Sequence, residues 1–174
     1  MTEIKVNPTR MELKKIKARL MTARRGHKLL KDKRDELMKQ FLETVKEVKE
    51  VRKKVILALD SYNKNFEASL AVTDKKIMAE SLMLPKAEGT LDIAFKNVMS
   101  VTVPQFNFEV RGDSGMNYGY AFTTGELDDA LAELRNTLPD LIRLAELEKT
   151  SLLLCDEIEK TRRRVNALEY IMIP

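Results

Sequence analysis

Tryptophan is absent from this 174-residue chain, and a single cysteine, Cys155, and a single histidine, His27, leave little from which to build a reactive centre. One cysteine excludes an intrachain disulfide and suits a reducing compartment. One histidine beside one cysteine supports neither a nucleophile–base–acid triad nor a histidine-rich metal site. No GxxxxGK[ST] or GxGxxG loop occurs, and Gly112, Gly115 and Gly119 do not have a nucleotide-binding spacing. We therefore expect no catalytic, cofactor-binding or metal-binding residues. No run of 18 apolar residues exists, so no membrane span is expected. Met1 to Arg10 has no apolar segment, so no signal peptide is expected either. Aromatics are too few, at 6%, for a rich globular core. Burial must instead be spread along a seam.

What the chain does contain is Leu, Lys, Glu, Arg, Met and Ala, all good helix formers. Thr9-Arg10-Met11-Glu12 has the form of a capping box and marks a helix start. From there to about Leu82 there is no proline and only Gly26 as glycine, so one helix of roughly 70 residues, about 105 Å, is expected. Steps of three and four link Leu13, Ile16, Leu20, Ala23, His27, Leu30, Arg34, Leu37 and Phe41. After a repeated step of four to Val45, the alternation resumes at Val48, Arg52, Val55, Leu59, Tyr62 and Phe66. This is a heptad seam with a stutter near Phe41.

Residues 83–123 break the pattern, with Pro85, Gly89, Pro104, Gly112, Gly115 and Gly119. Leu91, Ile93 and Phe95 alternate, and Val98, Val101 and Val103 continue in a β-branched run. A short β-hairpin is expected, with Lys96-Asn97 as its two-residue loop and neither face cleanly apolar. The remainder, 104–122, reads as a returning loop pinned by Phe106, Phe108, Tyr118, Tyr120 and Phe122.

A second helix starts near Thr123-Thr124-Gly125-Glu126, another capping-box form. Its seam is Leu127, Leu131, Leu134, Leu138, Leu141 and Ala145, and after a phase drift Leu147, Leu154, Ile158, Val165, Leu168 and Met172. Pro139 is expected to kink or restart it. The fold class is thus all-α dominated: a long antiparallel two-helix coiled coil, about 9–82 and 124–172, with a short β-hairpin and loop insert at about 90–122. The organisation is one elongated domain over 1–174, with helices 9–82 and 124–174 flanking an insert at 83–123. With Leu82 opposite Gly125, Phe41 faces the region of Asn166, Pro174 meets Lys33, and residues 9–32 need a further C-terminal segment or another protein to cover their seam.

Charge is placed unevenly. Residues 10–34 hold eleven Lys/Arg against two acids. A basic end calls for an acidic partner. It has no aromatic platform for stacking on nucleic acid. Thr161-Arg162-Arg163-Arg164-Val165 forms a second basic cluster.

Asn7-Pro8-Thr9-Arg10-Met11-Glu12-Leu13, the run Arg25 to Leu37, the run Asn97 to Pro104, and Lys160-Thr161-Arg162-Arg163-Arg164-Val165-Asn166-Ala167-Leu168-Glu169-Tyr170 together resemble the D subunit of V-type/A-type ATPases, in order and over nearly the whole chain. The resemblance implies a central-stalk rotor shaft without catalytic activity of its own. It implies an F subunit bound along the lower coiled coil, the A and B subunits of the catalytic hexamer around the tip formed by both termini, and a membrane-ring connector at the far end. ATP hydrolysis in the head would turn the shaft and pump ions, with ATP synthesis in reverse, and the hairpin is linked to stimulating ATPase activity. Direct nucleic-acid binding and membrane insertion are not implied; the setting is cytoplasmic and peripheral to a membrane. In that family the last helix continues past the Tyr170 motif, which matches the uncovered seam at 9–32. Arg24, Arg25, Lys28, Arg162, Arg163 and Arg164 are the expected bearing surface against the head. Two other classes remain compatible with the residues alone: a non-rotary coiled-coil adaptor or scaffold, and a basic coiled-coil nucleic-acid binder.

Overall fold

A computed structural model of the chain describes residues 8–83, 87–112, 118–119 and 123–174. The elements are α1 (Arg10–Val72), α2 (Lys75–Ser81), β1 (Ala87–Val98), β2 (Val101–Gly112) and α3 (Gly125–Ala167), which ends in a π-helical turn, Leu168–Met172. Two long helices and a two-stranded antiparallel hairpin match the expected class. Tyr120, Phe122, Pro85 and Gly115, used above as anchors or breakers, lie outside the described residues.

The chain divides into two compact units, Met1–Leu42 with Leu153–Pro174, and Glu43–Leu152. In the first, α1 and α3 run antiparallel: His27 meets Glu169, and Lys33 Nζ lies 3.4 Å from Glu157 Oε1. Its core is Leu37, Leu154, Ile158, Thr161 and Val165. In the second unit the same two helices are tied by Arg52 to Glu148 at 2.6 Å, by Ser61 to Glu133 at 2.8 Å, and by Thr124 to Ser69 at 3.0 Å. Val48, Val55, Leu127 and Ala130 are buried between them. Complete burial of one such aliphatic side chain contributes about 1.5–3 kcal/mol. An ion pair as exposed as Arg52–Glu148 contributes about 0–1 kcal/mol. Apolar burial therefore holds the helices together, and the polar contacts select the register.

That register differs from expectation. Lys33 reaches Glu157, not Pro174, and Thr124 meets Ser69 instead of the region of Leu82. The cause is an earlier end to the first helix. Asp74 is an N-cap (φ −61°, ψ 136°) whose carboxylate accepts from the Lys76 N–H, so α1 stops at Val72 and the short α2 begins. The capping box at Thr9 is half made: its hydroxyl accepts from the Glu12 N–H, while Glu12 turns to Lys15. At the start of α3 the Thr124 hydroxyl reaches across to Ser69, tying the two helices. Pro139 lies inside α3, which continues through it without restarting.

The hairpin turn is not Lys96-Asn97 but Met99-Ser100, with φ of 51° and 70°. Two successive positive φ values make it a type I′ turn. Asn97 stands just outside, and its side-chain oxygen accepts from the Ser100 N–H at 2.9 Å. Residues 104–112, expected as loop, extend β2. A two-residue turn makes Val98 and Val101 a hydrogen-bonded pair, and the pairing alternates from there. Phe95 and Pro104 then fall in a non-hydrogen-bonded pair, where proline's missing N–H costs the ladder nothing. The next such pair is Ile93 with Phe106, and the outward Phe106 N–H donates to Glu146 on α3 at 3.0 Å. Val101, Val103 and Pro104 are buried, whereas β1 is exposed from Glu88 to Asn97. Leu91, Ile93 and Phe95 share a face with their partners Phe108, Phe106 and Pro104, so that face is apolar, contrary to expectation. Gly89 makes room for the Phe108 ring, which a Cβ there would meet at 2.8 Å.

Neither Met99 nor Ser100 suits positive φ, which costs about 1–2 kcal/mol per non-glycine residue. Replacing both, Met99→Asn with Ser100→Gly, is expected to raise the urea midpoint. An unchanged or lower midpoint contradicts a strained turn.

Candidate interaction surfaces

The expected bearing residues all lie in the first unit, and all are exposed: Arg24, Arg25 and Lys28 on α1, Arg162, Arg163 and Arg164 on α3. The cross-links His27–Glu169 and Lys33–Glu157 bracket Lys28 on one helix and the arginine triplet on the other, so the two clusters occupy the same stretch. Arg163 is neutralised by Glu159 one turn earlier. Among the described residues, the other five make no ion pair, and their charge is offered to solvent or to a partner.

His27 is half-buried at the level of the π-helical turn. Its Nε2 lies 3.5 Å from a Glu169 oxygen but is otherwise buried without a hydrogen bond among the described residues. Thr161, at the heart of the unit, also has a buried hydroxyl without a partner among the described residues. Cys155 is exposed on α3.

The remaining seam residues divide by burial. Leu37, Val48, Val55, Leu154, Ile158 and Val165 are buried, while Phe41, Leu59, Tyr62, Leu131, Leu134 and Leu141 are half-buried. Tyr62 stacks on Phe66, one turn further along α1, with ring centroids 5.7 Å apart. Sequence reading missed Ser69, Thr73, Ala130, Thr137 and Thr161, all buried. Apolar periodicity is blind to the Ser and Thr among them. A helical Thr or Ser can enter a core by returning its hydroxyl to its own backbone, as Thr137 does to the Glu133 carbonyl at 2.7 Å.

In the hairpin, Val98 is half-buried and Val101 and Val103 are buried, while Leu91, Ile93 and Phe95 are 45%, 53% and 72% exposed. Apolar exposure on this scale in a folded chain marks an interaction surface. The described residues contain no group of three or more metal-ligating side chains. A cleft of about 300 Å³ between α1 and α3 is lined by Glu47, Glu50, Val51, Lys54, Asp140 and Arg143. Five charges around one valine do not resemble the largely apolar wall of a small-molecule site. Nearby on α1, the hydrogen bond and charge of Asp60 raise the pKa of Lys64.

Comparison with known proteins identifies the family. Residues 12–174 match the family described as the D subunit of ATP synthase. The chain belongs to that family. A V-type ATP synthase D subunit from Clostridioides difficile (strain 630) is 51% identical across the whole chain, which spans 79% of that protein. Those of Clostridium novyi (strain NT) and Acetivibrio thermocellus are also 51% identical across the whole chain, which spans 82% and 80% of them. This D subunit is a central-stalk component of a rotary ATPase and partners other subunits of that complex. No helix among the described residues is long and apolar enough to cross a membrane.

Glu146 is the side chain that bonds the hairpin backbone to α3. A hydrogen bond to a charged acceptor contributes about 1.5–3 kcal/mol. Glu146→Ala is therefore expected to speed amide exchange at Phe106 by about tenfold or more, while Glu146→Gln, which keeps an acceptor, retains most of the protection. Equal exchange in wild type and Glu146→Ala would show that the contact does not anchor the hairpin.

Proposed function

We propose that this D subunit is the rotor shaft itself, a non-catalytic element that transmits torque between the ATP-hydrolysing or ATP-synthesising head and the ion-translocating membrane ring. The supporting observation is the pairing of α1 and α3 in both units, with buried apolar side chains and polar ties at intervals along each. Twist applied to one helix is resisted by the other only if they are fastened repeatedly, since a single α-helix bends readily. In this reading an F subunit lies along the lower helix pair, the A and B subunits surround the end bearing both basic clusters, and a membrane-ring connector takes the far end. The protein is then cytoplasmic and held at the membrane through its partners, without binding nucleic acid.

The arginines and lysine at 24, 25, 28 and 162–164 act as the bearing. A turning shaft needs contacts that exchange at low cost. Exposed guanidinium and ammonium groups facing acidic stator loops provide this, because each pair contributes about 0–1 kcal/mol and is screened within about 8 Å at physiological salt. Fixed, buried pairs would hold the shaft at one angle.

The test is reconstitution with the catalytic head. Replacing Arg162, Arg163 and Arg164 by glutamate, with Arg24→Glu and Lys28→Glu as a second set, is expected to lower ATPase activity of the assembled complex several-fold at low salt and to invert its salt dependence, because added salt screens the new repulsion. Wild-type activity in a fully assembled complex rejects the bearing role.

A further inference from the structure

The outer edge of β1 is open to solvent along most of its length. It runs for twelve residues, with Glu88 to Asn97 all exposed, and it holds no proline. The alternation set by the Met99-Ser100 turn points the N–H and C=O groups of Val98, Lys96, Ala94, Asp92 and Thr90 inward to β2. Those of Asn97, Phe95, Ile93, Leu91 and Gly89 point outward. The outward edge of β2 is treated differently, since Phe106 there donates to Glu146. A long unprotected edge is a template for another strand.

We propose that this edge pairs antiparallel with β1 of a second copy of the chain, joining two hairpins into a four-stranded sheet when the protein is outside its complex. Charge complementarity selects the occupant and the register. An antiparallel pair about a two-fold axis at Ala94 brings only outward-pointing residues into hydrogen-bonded positions, Ile93 opposite the second copy's Phe95 and Leu91 opposite its Asn97. In the alternating close pairs, Asp92 then stands opposite Lys96 of the second copy, and Lys96 opposite its Asp92. Side chains are nearest in such non-hydrogen-bonded pairs, with Cβ atoms about 4.5–5.5 Å apart. The same axis puts Ile93 and Phe95 of both copies on one face, continuing the apolar surface formed with Phe106. Shifting the axis to Ile93 sets Asp92 against Ala94 and leaves both charges unmatched.

Neither Asp92 nor Lys96 makes an ion pair among the described residues, and both are exposed, so changing them leaves the monomer's packing intact. Sedimentation velocity of the full chain over a concentration series is the measurement. The wild type is expected to dimerise reversibly. Asp92→Lys sets like charges together twice and weakens the dimer by roughly tenfold. Lys96→Asp does the same. An equimolar mixture of these two variants, in which every close pair is again of opposite sign, recovers association to near the wild-type level. Ile93→Pro removes an outward N–H that the hairpin does not use and abolishes dimerisation, with circular dichroism reporting an unchanged helix content. A chain that stays monomeric at the highest soluble concentration overturns the proposal. So does a dimer indifferent to Asp92→Lys and Ile93→Pro, or a variant mixture no stronger than its components.

Discussion

Everything in this chain depends on two helices burying a narrow stripe of side chains against each other. A helix pair has no third layer, so each helix keeps most of its circumference in water. The buried set is correspondingly short and dispersed: Leu37, Leu154, Ile158 and Val165 in one unit, Val48, Val55, Leu127 and Ala130 in the other. Stability must then come from many modest contributions instead of one dense core. Lys33–Glu157, Arg52–Glu148 and the Ser61–Glu133 contact add little energy each, but each is satisfied in one register only. Apolar burial says that the helices pair, and the polar contacts say where. For a component under torsion this division is useful, because slippage by one turn would break several directional contacts at once.

The hairpin obeys a different constraint. It is anchored at its turn-proximal end, through Val101, Val103 and Pro104, and by the Glu146 carboxylate on the outward Phe106 N–H. On β1 it projects Leu91, Ile93 and Phe95 into solvent. Proline at 104 is compatible with a strand because it falls where the ladder needs no donor. The strained Met99-Ser100 turn and the exposed apolar face both cost stability in the isolated chain. Neither would cost as much if the hairpin met another surface.

Much of the architecture was legible in the residues. Steps of three and four marked both helices, and the loss of that period with clustered Gly and Pro marked the insert. Errors arose where a single side chain overrides the period. Asp74 stops α1 by capping the next helix, and without that stop the paired register slid along the helices. Asn97 resembles a turn residue because it caps the turn through its side chain, not because it lies inside it. Ser69, Thr137 and Thr161 are buried at helix contacts where pattern reading looks for leucine. The basic clusters were visible as sequence runs. That they share one stretch of the first unit follows only from the cross-links His27–Glu169 and Lys33–Glu157.

Charge at that stretch carries a physical implication about motion. Lys28 and Arg162 to Arg164 crowd positive groups onto a two-helix unit, which by itself disfavours pairing. Glu159 relieves Arg163, Glu157 relieves Lys33 and Glu169 approaches His27, so acids within the unit compensate part of the repulsion. Five of the six cations proposed as the bearing nevertheless remain without an ion pair among the described residues. Internal neutralisation at every position would have favoured folding and removed any long-range attraction for acidic surroundings. In the bearing role proposed above, residual repulsion kept at an exposed surface where salt screens it would let a shaft stay centred among acidic neighbours without binding any one of them for long.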